Sequence, residues 1–162
     1  MEGLLRDGRP VPQPGVYGKG LLTILTRSDA DQFLRSWTWL TGNDARCLLT
    51  TGFGDVFYWA KGYVRWLNVQ RGTIEPIDAD LGWVLDEFLE KEIVVTKMLR
   101  GSVLEDLVRR QRELRYHEAF ILNPWLIMGG DDRLENYSVG HCGVYVDLVG
   151  QTWPQLQPLS DV

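Results

Sequence analysis

The chain has 162 residues, a formal net charge of −5 and a pI near 5.0. A chain this long fits one domain burying roughly 68–70% of its unfolded surface, and 44% hydrophobic with 24% charged residues is ordinary for a globular protein. The acidic balance excludes a general nucleic-acid binder, which carries a basic excess, and no run approaches the ~18 apolar residues of a membrane span.

Seven tryptophans, six tyrosines and five phenylalanines supply large apolar bodies that fill cores and anchor protein interfaces. The opening MEGLLRDGRPVPQPG has charges where a signal peptide has its apolar core. Two cysteines, Cys47 and Cys142, are too sparse for a secreted disulfide scaffold. The expectation is a soluble, cytoplasmic protein.

Pro10, Pro12 and Pro14 with Gly8 and Gly15 mark an extended arm. A short strand-like run follows, ending at Ser28 or Asp29, either of which can cap the next helix. Ala30, Phe33, Leu34, Trp37 and Leu40 fall at helical spacing, predicting a helix over 29–40 that Gly42-Asn43 ends. A β block comes next, with strands near 46–51, 55–60, 63–69 and 73–77 and turns at Lys61-Gly62 and Arg71-Gly72.

Asp78 or Asp80 starts a second predicted helix, with Leu81, Val84, Leu85, Phe88 and Leu89 on one face. A third covers about 102–114, its outer face carrying Arg109, Arg110, Arg112 and Arg115, which reads as a solvated surface. Segments 119–122 and 135–139 read as short strands. Residues 141–151 stay open: the alternation of Val144, Val146 and Leu148 suits a strand, the length suits a helix. Pro154 and Pro158 close the chain. The outcome is a single α+β domain whose antiparallel sheet has about four to six strands flanked by helices, divided as an arm with first strand (1–28), a body (29–152) and a tail (153–162).

The stretch LIMGGDDRLEN, residues 126–136, has glycines and acids that could form a phosphate cradle, a metal loop or a turn. It lacks the lysine and glycine spacing of a phosphate loop, and Asp131 and Asp132 repel phosphate. Gly129 and Gly130 therefore read as a turn through which the backbone passes closely. Asp131 and Asp132 then cap or expose that turn, and Asn136 bonds to local backbone.

In GFGDVFYW, Gly54 and Asp55 read as an irregular strand junction whose acid satisfies nearby amides. His141 and Cys142 are adjacent, so their side chains diverge, and nothing completes a metal set. His117 and His141 have no nucleophile signature around them. No catalytic residue, metal or cofactor is expected.

The ordered set is more informative than any one motif. Phe53-Gly54-Asp55-Val56-Phe57 precedes a second hairpin strand at Tyr63–Leu67, and then come Gly129-Gly130, Asn136 and Leu148–Gln151. Over roughly residues 33–151 this order resembles the immunity proteins of type VI secretion DNase effectors, which combine a GAD-like region with a C-terminal immunity domain. The region before Phe33 is shorter than in the longer members.

The resemblance implies a protein that is not an enzyme and that neutralises a bacterial DNase toxin by direct contact, masking its DNA-binding or catalytic cleft. Asp131, Asp132 and Glu135 are the toxin-binding candidates, chosen on turn exposure and charge, and Gly54, Asp55, Gly129, Gly130, Asn136 and Gln151 are the structural motif. The competing readings are a small-ligand or metal-binding enzymatic domain in which Asp55, Asp131 and Asp132 converge on one pocket, and a regulatory protein-binding module.

Overall fold

The computed structural model describes residues 13–77, 84 and 91–160. Its frame is an antiparallel meander with six strands in sequence order: β1 (Gly15–Tyr17), β2 (Leu22–Ile24), β3 (Arg46–Thr51), β4 (Val56–Ala60), β5 (Tyr63–Asn68) and β6 (Thr73–Pro76). The central strand β4 shows why the aromatic run VFYWA reads as continuously apolar. Successive side chains point to opposite faces, and both faces are covered: Val56, Tyr58 and Ala60 enter one core cluster, while Phe57 enters another that Trp59 packs against. Lys61 (φ 52°) and Gly62 (φ 88°) both take left-handed backbone in the two-residue turn joining β4 to β5.

The predicted helix over 29–40 is two short helices. Thr26 caps the first, α1 (Arg27–Phe33), accepting the Asp29 N–H at 3.3 Å, so the cap precedes the Ser28 or Asp29 expected from sequence. A 3-10 turn at Arg35–Trp37 then breaks the helix before α2 (Thr38–Thr41). The break accompanies the burial of Trp37, which has no exposed surface and donates its indole N–H to Val146 O at 2.8 Å.

The ambiguous segment after His141 is a helix, α4 (Cys142–Ser160). The strand-like alternation misleads because the buried residues are Cys142, Tyr145, Val146 and Val149, spaced at three, four and seven. The helix also continues through Pro154, where the chain was expected to leave regular structure. Proline has no N–H to give the carbonyl four residues back. That carbonyl, on Gly150, accepts the indole N–H of Trp39 at 3.1 Å instead.

A turn of π-helix (Val94–Met98) leads to α3 (Gly101–Arg110), which is shorter than the predicted 102–114. Leu104 and Leu107 face inward, and Leu114, beyond the helix end, is buried as well. Arg109, Arg110, Arg112 and Arg115 are exposed, with Arg112 forked onto Glu118 at 2.6 and 2.7 Å. The helix predicted from Asp78 lies outside the described residues except for Val84, which is buried beside Val94 and Leu99.

A second, two-stranded sheet pairs β7 (Glu118–Leu122) with β8 (Tyr137–His141). The later strand starts two residues beyond the predicted 135 because Leu134–Asn136 forms a 3-10 turn. The molecule is a single α+β domain with an antiparallel six-stranded sheet, a two-stranded sheet and four α-helices among the described residues. None of the described helices is long and apolar enough to cross a membrane.

The two sheets meet at Gly52. Its N–H donates to Leu21 O at 3.2 Å, and its carbonyl accepts the Phe120 N–H of β7 at 2.8 Å. A Cβ added at Gly52 would lie 2.6 Å from Gly20 O, a backbone atom that cannot swing away. Gly52→Ala is expected to cost about 1–3 kcal/mol of stability in urea titration and to speed amide exchange at Phe120. An unchanged midpoint would show that the junction is not tightly packed.

Candidate functional site

The backbone between Thr51 and Asp55 is a knot of local bonds. The Thr51 hydroxyl accepts the N–H groups of Phe53 at 3.3 Å and Asp55 at 3.2 Å, and Gly54 N–H donates to Thr51 O. Gly54 has φ +83°, the left-handed region, and a Cβ there would strike the Tyr145 ring at 2.8 Å. This turn sends Phe53 into the core beneath the small sheet and Asp55 toward a cleft of about 320 Å³.

Asp55 is only 7% exposed. Its Oδ1 accepts the Val69 N–H at 3.2 Å, an acceptor role of the kind its place in the sequence suggests. Burial pushes its carboxyl up to about 7, against the downward pull of the Val69 amide, the Trp66 indole and the Arg100 charge. Trp66 Nε1 lies near Asp55 but outside hydrogen-bond geometry, and is buried without a partner.

Across the cleft stands a closed triangle. Arg100 donates to both oxygens of Asp132 at 3.1 and 3.3 Å and to the Tyr137 hydroxyl at 2.9 Å. The Tyr137 hydroxyl in turn donates to Asp132 Oδ1 at 2.6 Å. Arg100 also lies 4.4 Å from the Phe53 ring centroid, a cation–π contact. Its backbone is left-handed, φ 54°, a costly conformation for a side chain of this size. Partial burial works to raise Asp132, but the Tyr137 bond and Arg100 charge hold it below the usual carboxylate range.

Gly129 (φ +88°) and Gly130 form the turn expected of them. A Cβ at Gly130 would collide with Pro124 O, so the close backbone passage is real. The residues around them part company. Asp131 is exposed and pairs with Arg133 at 2.7 Å, while its carbonyl accepts the Asn136 side-chain N–H at 2.9 Å. Glu135 is exposed. Asp132 is exposed, as the turn reading expects, but its carboxylate is paired with Arg100 and is not a free acid.

The three-acid pocket is therefore only partly assembled. Asp55 and Asp132 line the cleft and Asp131 does not. Gln151 lies elsewhere, on α4, donating to Asp147 Oδ2 at 2.9 Å, and Asp147 also accepts the Ser36 hydroxyl. Among the described residues no group of three or more His, Cys, Asp or Glu side chains is placed to hold a metal ion.

Arg100, Lys97 and Trp66 stand in no motif of the sequence, and Arg71 is marked there only as a turn former. All four line the cleft. Their one signal was weak: Arg100 stands directly before Gly101, where one helical segment must end and another begin.

No protein-family model matches the chain, and no curated protein matches it. The fold is similar to the crystal structure of Atu4351 from Agrobacterium tumefaciens, with a TM-score of 0.62 and 11% identity over 84% of this chain and 69% of that one. The likeness is one of fold.

Because Asp55 is raised in the folded chain, the stability its protonated form lends is complete below about 3.8 and is lost as pH rises through about 7. Asp55→Asn keeps the acceptor for Val69 and removes the titration. Its stability relative to the native chain is expected to be greater at pH 8.5 than at pH 5, by on the order of 3 kcal/mol in urea titrations. A difference equal at both pH values would show that Asp55 ionises as freely folded as unfolded.

Proposed function

We propose that this protein is an immunity protein that binds a bacterial toxin, a DNase of the type VI secretion class, and neutralises it in the cytoplasm by direct contact rather than by catalysis. The ordered set of motifs from Phe53 to Gln151 supports the family reading. The observation that carries protein binding is an exposed apolar strip. Val144 (53% exposed) and Leu148 (44%) lie one turn apart on α4, and Trp39 (38%) sits beside the same helix with its indole on Gly150 O. Large apolar groups in water beside an acid, here Asp147, have the make-up of an interface core with its polar rim.

A DNase holds a polyanion and so has a basic cleft. An acidic partner is drawn to such a cleft and competes with DNA for it. Glu135 and Asp131 are both exposed and can steer that encounter, Asp131 in spite of its surface pair with Arg133. Asp132 contributes less, since Arg100 already neutralises it.

The reading is tested by inducing, in a heterologous host, any nuclease reading frame found adjacent to this gene, with and without this protein. Intact chromosomal DNA and a stoichiometric complex are expected. Leu148→Glu should weaken the complex by about 30-fold or more, as for an interface anchor, with a dissociation rate that rises. Reversing charge at Asp131 and Glu135 should instead lower the association rate, most at low salt. Equal DNA degradation in both cultures with no complex would sink the proposal for that toxin, and an unaffected Leu148→Glu complex would remove the α4 strip from the interface.

A further inference from the structure

The cleft beside Asp55 has features that toxin binding does not use. In an acidic protein it gathers positive charge: Arg71, Lys97 and Arg100 line it against Asp132 and Asp55. Arg100 and Asp132 satisfy each other. Among the described residues, the side chains of Arg71 and Lys97 have no hydrogen-bond or ion-pair partner, although Arg71 feels the Asp132 charge. Asp55, raised by burial to about 7, is about half ionised at neutral pH and offsets only part of this charge.

Polar and apolar groups in the cleft complete the picture. The Asn68 and Gln70 side chains stand at the same wall, and Phe53, Met98 and Leu126 supply apolar surface. The Trp66 indole N–H is buried beside the Asp55 carboxyl without a well-formed hydrogen bond. The volume of about 320 Å³ is at the lower end of the range of small-molecule sites. A few convergent polar groups on an apolar wall, with one strongly perturbed acid, describe a ligand site better than a solvated groove.

We propose that this cleft binds a small organic oxyanion, a carboxylate or phosphate ester, with its charged group between Arg71 and Lys97 and its uncharged part against Phe53, Met98 and Leu126. A cation is disfavoured by Arg71 and Lys97, whose side chains pair with no acid among the described residues. A bulky polyanion is disfavoured by Asp132 and by the cleft's size. Asp55 and Trp66 are buried at the inner wall of the cleft, so the indole N–H reports on a bound ligand without touching it. This site stands apart from the toxin reading, since Val144, Leu148 and Trp39 do not line it.

The test is a titration of the full chain with succinate, glycerol 3-phosphate and inorganic phosphate, sodium chloride holding ionic strength constant. The readout is the indole N–H resonance of Trp66, assigned through Trp66→Phe. A saturable shift at millimolar concentration or below is expected with at least one organic anion. The anion that binds tightest distinguishes carboxylate from phosphate, and a response to inorganic phosphate alone would remove the organic part of the proposal. Arg71→Ala with Lys97→Ala removes two exposed, unpartnered side chains, so the fold should hold while affinity falls about 10-fold or more. No saturable shift at 20-fold the protein concentration of ~1 mM, or a shift that the double variant retains in full, would overturn the assignment.

Discussion

The structure hangs on five residues of backbone, Thr51 to Asp55. A six-stranded meander and a two-stranded sheet have no covalent reason to lie together, being separated by α3 and the segments around it. Gly52 joins them, giving its N–H to Leu21 on one side and taking the Phe120 N–H on the other. That bridge requires the backbones to approach closer than a Cβ allows. Once Gly52 is fixed, the Thr51 hydroxyl closes the turn, and Phe53 and Asp55 are both brought to the cleft. Phe53 becomes the floor on which Arg100 lies, and Asp55 the acid it faces.

The opposite anchoring is done by indoles. Trp37 and Trp39, two residues apart, bond the Val146 and Gly150 carbonyls of α4. A Cβ at Gly150 would sit 2.7 Å from Trp37 Nε1, so glycine admits one ring, and Trp39 satisfies the carbonyl that Pro154 cannot. The two tryptophans thus explain how a helix runs through a proline without an orphaned acceptor. They also fix the rotation of α4, and it is rotation that decides which residues remain in water. With Cys142, Tyr145, Val146 and Val149 held inward, Val144 and Leu148 are left outside.

Period explains what could be read from sequence and what could not. Strands β3 to β6 were legible because each is a short run rich in aromatic and β-branched residues and glycine marks their turns. The body of α1 and α2 was legible, but its break was not, because the need to seat Trp37 against α4 is set by a helix more than a hundred residues away. At 141–151 two periods fitted one sequence, and burial chose between them only once the sheet was there to bury against. The motif residues divided in the same way. Gly129, Gly130 and Asn136 announced a turn and made one, whereas the pairing of Asp132 depends on Arg100, a residue with no motif around it.

Arg100 shows why the cleft was hardest to foresee. Its position is meaningful only after Phe53, Tyr137 and Asp132 have been brought from three separate parts of the chain. It is held in left-handed backbone by those same contacts, so local preference argues against the conformation that the site requires. Asp55 is the companion case: a carboxyl buried to the point of resisting ionisation is a stability cost that packing alone would remove by substitution. Strain at one side of a cleft and a reluctant acid at the other are both opposed by folding energetics. Their coincidence at the junction that joins the two sheets gives the cleft its claim to a role beyond holding the fold together.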